Sequence, residues 1–407
     1  MIALYVVLFI SLYAGIFFLY SYFQHKTRFK TRVDKEFTPE VTVLIPAYNE
    51  ERTLARTLDY VFRMTYPKEK LKVVVVDDGS TDSTYSIAKG YPGVTVYHKE
   101  NEGCKAYPVN YGLKRIRSDL VFILDADCMP AKDCLLKLVQ YTKDEKTMAV
   151  ITQIKMYKPR GFLSRLQAIE FSGSAFVRKN LNVHGSLNIT PGGVLFKREF
   201  FDKHGYYDTS SIVEDFEIGM RVKAKGYDIA QAIDTYIMTY PHTKVRGLFK
   251  ERLRWAYGGL TIYKKYGFMF GFKHGELGGF FMPLGVFFII IPVILALRVV
   301  LISLQEGALR SGMFSGVGYD LAYSIANYQI IIPYRFVYYL IGALVLIGFF
   351  GFMAARRLSG LRRRIVGTYF WYVAVYLFFL GVVNGTAAVM FALGIKPKWA
   401  VKRSIQV

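Results

Sequence analysis

VFILDADCMP, residues 121–130, is an apolar run that ends in two aspartates one residue apart. Val121, Phe122, Ile123 and Leu124 have the unbroken hydrophobicity of a short strand covered on both faces, as in a parallel sheet flanked by helices. Asp125 and Asp127 then stand at its carboxyl end. Two carboxylates about 5 Å apart repel by roughly 3 kcal/mol at an effective dielectric near 20, so a fold that keeps both ionised gains from a cation close by. Taken alone, the pair fits either loop chemistry or a metal site.

The same grammar repeats upstream. VTVLIPAYN (41–49) reads as a strand and its exit, ERTLARTLDYVFRM (51–64) has helical periodicity, and LKVVVVDDGSTDST (71–84) is a second buried strand closed by acidic and turn residues. This alternation, sustained from about residue 40 to 250, predicts an α/β domain built on a Rossmann-like, mostly parallel sheet. Ligands of such sheets collect outside the carboxyl ends of the strands, which lines up Ala47 and Tyr48, Asp77 and Asp78, and Asp125 and Asp127 along one edge. Asp77 and Asp78, followed by Gly79 and Ser80, also suit a plain strand-exit turn and helix cap. Three such ends together suit a nucleoside diphosphate: one carboxylate takes base or ribose hydroxyls, and a metal between the later pair and the phosphates neutralises the charge.

Outside this region the chain is lopsidedly apolar. Residues 2–23, IALYVVLFISLYAGIFFLYSYF, are long enough to cross a bilayer core, lack a preceding basic region and a cleavage site, and read as an uncleaved anchor over 1–24. The basic flank HKTRFKTRVDK (25–35) keeps the following domain cytoplasmic by the positive-inside rule. Further apolar segments run over about 280–303, 335–355 and 365–393, with RRLSGLRRR (356–364) between the last two; four crossings are expected, and the basic tail from 394 to 407 disagrees with them. Residues 256–279 mix aromatics with lysines, as an interfacial segment does, and 305–334 read as an outer-face loop. Arg298, inside the second segment, either snorkels or meets an anionic lipid headgroup or phosphate.

A net charge of +22 raises the question of nucleic acid, but much of the excess borders apolar segments, where it meets anionic lipid, and no nucleic-acid motif is visible. Cys104, Cys128 and Cys134 are odd in number, lack metal-ligand spacing and fit a reducing compartment. Eight glutamines against abundant Lys and Arg hint at a thermophile.

VTVLIPAYNE, VVVVDDGSTD, NEGCKAYPVNYGL, LDADC, TPGGVLFKREFFDKHGYYD, VEDFEIGMRVKAKGY and ERLRW follow one another within residues 40–257. In that order they resemble the motifs of membrane-bound family 2 glycosyltransferases of the GT-A fold, similar to cellulose-synthase-like, hyaluronan-synthase-like and dolichyl-phosphate-linked mannosyl-transferring enzymes, archaeal ones included. The resemblance implies a catalytic domain over 40–255 in which Pro46, Ala47, Tyr48, Glu50, Asp77, Asp78, Lys105, Asp125 and Arg254 contact the nucleotide. It makes Asp125 and Asp127 the pair that binds Mn2+ or Mg2+, and puts Gly192, Gly193 and Trp255 beside the acceptor. The two glycines also suit a tight turn. Asp215, with Glu214 beside it, becomes the general base; a helix N-terminus would favour the same acids. Val213 stands where the family has Thr, and Glu251 replaces the glutamine of Q-x-x-R-W, which weakens a processive reading. His242 reads as an ordinary histidine.

Four crossings are few for a closed polymer tunnel, whereas a lateral groove open to lipid is easily built. The expected function is metal-dependent, inverting transfer from a GDP- or UDP-sugar, GDP-mannose by analogy, to a polyprenyl- or dolichyl-phosphate-linked acceptor at the cytoplasmic membrane face. The alternative is a processive β-polysaccharide synthase. A scaffold with a degenerate nucleotide site fits less well, because Asp125, Asp127 and Asp215 are all present.

Overall fold

A computed structural model describes residues 2–290, 294, 336–361 and 365–397. Among them, eight strands form one sheet in the order β3-β2-β1-β4-β7-β6-β8-β5. They are β1 (Val41–Ala47), β2 (Leu71–Asp78), β3 (Val94–Lys99), β4 (Leu120–Ile123), β5 (Met129–Pro130), β6 (Thr147–Met156), β7 (Val194–Lys197) and β8 (Asp228–Thr239). The first four are mutually parallel, but β7 runs antiparallel to both β4 and β6, so the sheet is mixed.

The apolar runs of β1 and β4 are unbroken because both faces are covered. Val43, Ile45 and Phe122 pack against α2 (Leu54–Phe62) and α5 (Cys134–Leu138), while Leu44, Val121 and Ile123 pack against α4 (Ala106–Leu113), α7 (Glu199–His204) and α8 (Glu214–Ala224). Every residue of these two strands is buried. The chain moves outward from β1 to β2 and β3, then returns to β4 on the other side of β1. That reversal opens a crevice at the carboxyl ends of β1 and β4, where open α/β sheets bind ligands.

Two long helices join this domain to the apolar segments. On α6 (Phe162–Val183), Ala175 and Phe176 share a cluster with Tyr22 of α1 (Ile2–His25) and with Ala354 and Ala355 of the helix Phe336–Ser359. The Ser172 and Ser359 hydroxyls lie 2.7 Å apart across that contact. On α9 (Val245–Lys265), Leu248 packs with Leu166 of α6 and Tyr376 of the helix Val366–Ala392. Among the described residues three helices, Leu4–His25, Tyr338–Ser359 and Val366–Ala392, are long and apolar enough to cross a membrane. Of the expected segment 280–303, the described part belongs to a shorter apolar helix, Leu277–Ile290. Arg298, the expected loop 305–334 and the tail from 398 onward lie outside the described residues. The backbone of α9 has no break at residue 255, where sequence reading ended the catalytic domain.

Candidate active site

Parallel register aligns the first acidic cluster. Ala47 pairs with Asp77, and Asp77 and Asp78 pair with His98 and Lys99 of β3. Asp77 is fully buried; its Oδ2 takes His98 Nδ1 at 2.7 Å, while its Oδ1 is sealed from solvent without a hydrogen-bond partner. A buried acceptor left open in this way suits the N–H or hydroxyl of a ligand. Asp78 accepts from Lys99 Nζ and Asn101 Nδ2, both at 2.9 Å. Burial pushes its carboxyl pKa up, against the pull of Lys99. His98, Lys99 and Asn101 were missed from sequence. Their signal was the tract HKEN, whose partners become visible only once β3 is set beside β2 in register.

The loops after β1 and β2 are laced together. Asn49, in the left-handed region at φ 55°, donates its N–H to Ser80 Oγ and takes the Thr81 N–H on its side-chain oxygen at 2.8 Å. Pro46 is part of β1 and Ala47 is buried, so they form wall and backbone, whereas Tyr48 is exposed. Glu50 Oε2 accepts from Thr53 Oγ1 at 2.5 Å, within its own turn.

At the end of β4 the second cluster forms. Single ligand atoms of Asp125, Asp127 and Cys128 lie within 4.8 Å of one another. Asp127 is buried, with Thr239 Oγ1 donating to its Oδ2 at 3.3 Å, and Thr57 Oγ1 pins the intervening Ala126 carbonyl at 2.8 Å. Carboxylate oxygens at this spacing fit a hard divalent cation whose remaining positions are filled by phosphate oxygens and water. Lys105 already brings a cation there: its ammonium hydrogen-bonds Asp125 and lies 3.9 Å from Glu214 Oε1. Burial would pull the Lys105 pKa down, but Asp125 and Glu214 outweigh it and hold it above the usual lysine value. Lys105 thereby ties the end of β4 to the first turn of α8.

That turn carries the remaining acids. Glu214 is buried, its Oε2 lacks a hydrogen-bond partner, and desolvation raises its pKa against the opposing pull of Lys105. Asp215 Oδ1 accepts the N–H of Phe216 at 2.8 Å, and the Asp215 carbonyl accepts from Thr190 N and Oγ1 at 3.1 and 2.9 Å. Thr190 immediately precedes the Pro-Gly-Gly stretch, so the predicted acceptor segment and the predicted base share a hydrogen-bonded junction. Gly192 has φ +73°, and a Cβ there would stand 2.8 Å from Ile237 Cδ1 and 3.0 Å from Ile154 Cδ1. A Cβ on Gly193 would meet Phe122 Cζ at 3.0 Å. Both glycines are therefore demanded by core packing, whatever else they do.

Arg254 Nη1 donates to the Ile212 carbonyl at 3.0 Å, just before α8. Trp255 is 36% exposed, with its ring edge-on to Phe171 of α6 at 6.3 Å and the Arg252 guanidinium over it at 4.1 Å. Glu251 is buried, paired with Arg252 and 3.0 Å from His242 Nε2. Arg252 also forks onto Glu170 of α6 at 2.8 and 2.7 Å. Thus the residue that departs from the family glutamine belongs to a buried charge cluster. His242, expected to be ordinary, is part of the same cluster.

A sheet of this order, with an acidic pair at its switch point, is the GT-A fold of nucleotide-sugar transferases, here joined, among the described residues, to three apolar helices of spanning length. Residues 42–205 match the family model Glycosyl transferase family 2, so this stretch of the chain is a family 2 glycosyltransferase domain. Over 266 residues it is 30% identical to the poly-beta-1,6-N-acetyl-D-glucosamine synthase of Staphylococcus aureus, covering 62% of this chain and 64% of that one. The synthase of the same name from Staphylococcus epidermidis is 27% identical over 267 residues, 63% of this chain and 64% of the other. These matches span less than two thirds of the relatives' own length. A mannosyltransferase from Pyrobaculum calidifontis, solved in complex with GDP-Man and Mn2+, has a similar fold, with TM-score 0.60 at 22% identity over 97% of this chain and 100% of that one.

Proposed function

We propose that the protein is a metal-dependent, inverting glycosyltransferase that moves one sugar from a GDP- or UDP-sugar to a polyprenyl- or dolichyl-phosphate-linked acceptor at the cytoplasmic face of a membrane. The observation that carries this reading is the Lys105 bridge, which sets the carboxylate pair at the end of β4 within one side chain's reach of the acidic first turn of α8. The nucleotide lies along Pro46 to Glu50, with Asp77 and Asp78 on the nucleoside and Arg254 toward the diphosphate. Asp125 and Asp127 hold a divalent metal, Mn2+ or Mg2+, which when bound stabilises the charge of the departing diphosphate. Asp215 takes the proton of the acceptor hydroxyl as its oxygen forms the new bond to the anomeric carbon. The bond from that carbon to the diphosphate breaks on the opposite face, and its electron pair leaves with the nucleotide. Gly192, Gly193 and Trp255 border the acceptor.

GDP-mannose is the first donor to test, since the similarly folded mannosyltransferase was solved with it. The cytoplasmic placement rests on the basic stretches at 25–35 and 356–364. Nucleotide release would be followed across a donor panel with polyprenyl-phosphate-linked acceptors, with Mn2+ or EDTA. The reading predicts release that requires lipid and metal and is lost in Asp215→Asn, whereas release that is indifferent to lipid and to Asp215 rules it out. The identity to named polysaccharide synthases favours a second reading, processive synthesis of a β-linked polymer. Products many sugars long from a short primer would establish that one.

A further inference from the structure

Arg178, on α6, was not singled out from the sequence, and among the described residues it is a guanidinium that the fold leaves partly unsatisfied. Its Nε and Nη2 are sealed from solvent and meet no hydrogen-bond partner in the structure. A buried guanidinium normally forks onto a carboxylate or phosphate, because its five donors lose their water on burial. Burial does draw the Arg178 pKa down, to about 10, with the Asp215 carboxylate pulling the other way. It therefore remains a cation at neutral pH, in the electrostatic field of the predicted base.

The helix face tells which way it points. Phe171 and Leu181 lie two turns before and one turn after Arg178, on the same side of α6. Phe171 meets the Trp255 ring, and Leu181 packs against the apolar cluster that holds Val213, just before α8. Arg178 thus stands between the tryptophan of ERLRW and the entrance of α8, opposite the face on which Ser172 and Phe176 meet the helix Phe336–Ser359 and α1. The carboxylates of the nucleotide half, by contrast, have their own partners: His98 on Asp77, Lys99 on Asp78 and Lys105 on Asp125.

We propose that Arg178 is the receptor for the phosphate group of a lipid-linked acceptor, holding that anion beside Asp215 so that the lipid leaves along α6 toward the apolar helices. The proposal rests on the lipid-acceptor reading above and adds to it the residue that recognises the charge. The same guanidinium chemistry also fits a donor phosphate, so the test separates the two sources.

The full chain in detergent, presaturated with nucleoside diphosphate and Mn2+, is titrated with farnesyl phosphate and with farnesol, for wild type, Arg178→Gln and Arg178→Lys. The expected result is a farnesyl phosphate Kd raised at least tenfold by Arg178→Gln and partly restored by Arg178→Lys, with farnesol binding and nucleotide Kd changed less than twofold. Arg178→Gln is expected to hold or raise Tm, since it removes an uncompensated buried charge. Equal loss of both prenyl ligands, or no preference of the wild type for the phosphate, overturns the proposal; a raised nucleotide Kd reassigns Arg178 to the donor and overturns it as well. If no phosphorylated acceptor is ever glycosylated while the binding contrast holds, the transfer reading falls and the anion site stands.

Discussion

Tyr376 sits on the helix Val366–Ala392, yet its hydroxyl donates to Glu170 Oε2 at 2.8 Å, 206 residues away in sequence. Glu170 is at the same time the bidentate partner of Arg252, whose neighbours are Glu251 and the Trp255 ring. Replacing Tyr376 by Phe keeps the ring in its cluster with Leu166 and Leu248 and removes only the hydrogen bond. A hydrogen bond to a charged group contributes about 1.5–3 kcal/mol, and with about 2.1 cal/mol/K of unfolding entropy per residue each kcal/mol shifts the Tm of a protein of this size by roughly 1 °C. Y376F should therefore lower Tm by about 2–4 °C at a fixed scan rate in one detergent. Glu170→Gln breaks a buried, doubly bonded pair and should cost more, about 3–5 kcal/mol. Because both changes act on one carboxylate, the double variant should fall short of the sum of the singles by at least about 1 kcal/mol. Additive effects, or a Y376F protein that melts with the wild type, would refute the claim that this contact fastens the apolar helix to α6 and α9.

Further outcomes follow from the same contacts. Glu251→Gln, which restores the family residue, should change stability by less than about 1 kcal/mol, since Arg252 keeps Glu170 and a glutamine oxygen still accepts from it; calorimetry or denaturant melts check this. Asp127→Asn should weaken Mn2+ binding in the presence of nucleoside diphosphate on the order of 100-fold, read by electron paramagnetic resonance, whereas unchanged binding would move the metal elsewhere. Lys179, whose ammonium is buried and donates to the Gln231 carbonyl at 2.8 Å, has its pKa pulled down to about 8 by desolvation. Between pH 8 and 10.5 the unfolded chain then binds the extra proton, so stability rises with pH across that window by up to about 3 kcal/mol. Lys179→Met should lack that rise, and a parallel pH profile for both proteins would count against the buried cation.

The strand ends were legible because their physics is local. A four-residue apolar run closed by Asp125 and Asp127 reads as a buried strand and its exit, and β1 and β4, recognised as runs buried on both faces, do lie side by side and parallel. The reversal at β7 was not legible: Val194–Lys197 looks the same from sequence in either direction, and only its pairing with β4 and β6 makes the sheet mixed. His98, Lys99 and Asn101 were hidden for a related reason, since cross-strand partners require a register that no single strand carries. Helix α6 escaped notice because its polar residues fall on several faces: Glu170 serves Arg252, Lys179 serves the sheet, and Arg178 is left with two buried, unpartnered nitrogens. A helix that answers to three surroundings shows little amphipathic period.

The position of α6 and α9 also bears on what a sugar acceptor at this site must be. Each has a side toward an apolar helix: α6 through Ser172, Ala175 and Phe176, and α9 through Phe249 and Tyr257, whose rings meet Phe379 and Phe391 at 6.2 and 5.8 Å. The nucleotide half of the site needs none of these contacts, since Asp77, Asp78 and Asp125 are held by β2, β3, β4 and Lys105. The half containing Trp255 and Arg178 depends on them. Under the lipid-linked reading proposed above, an acceptor with an apolar tail would find, across one helix diameter of about 10 Å, both the Arg178 charge for its head and the apolar helices for its tail.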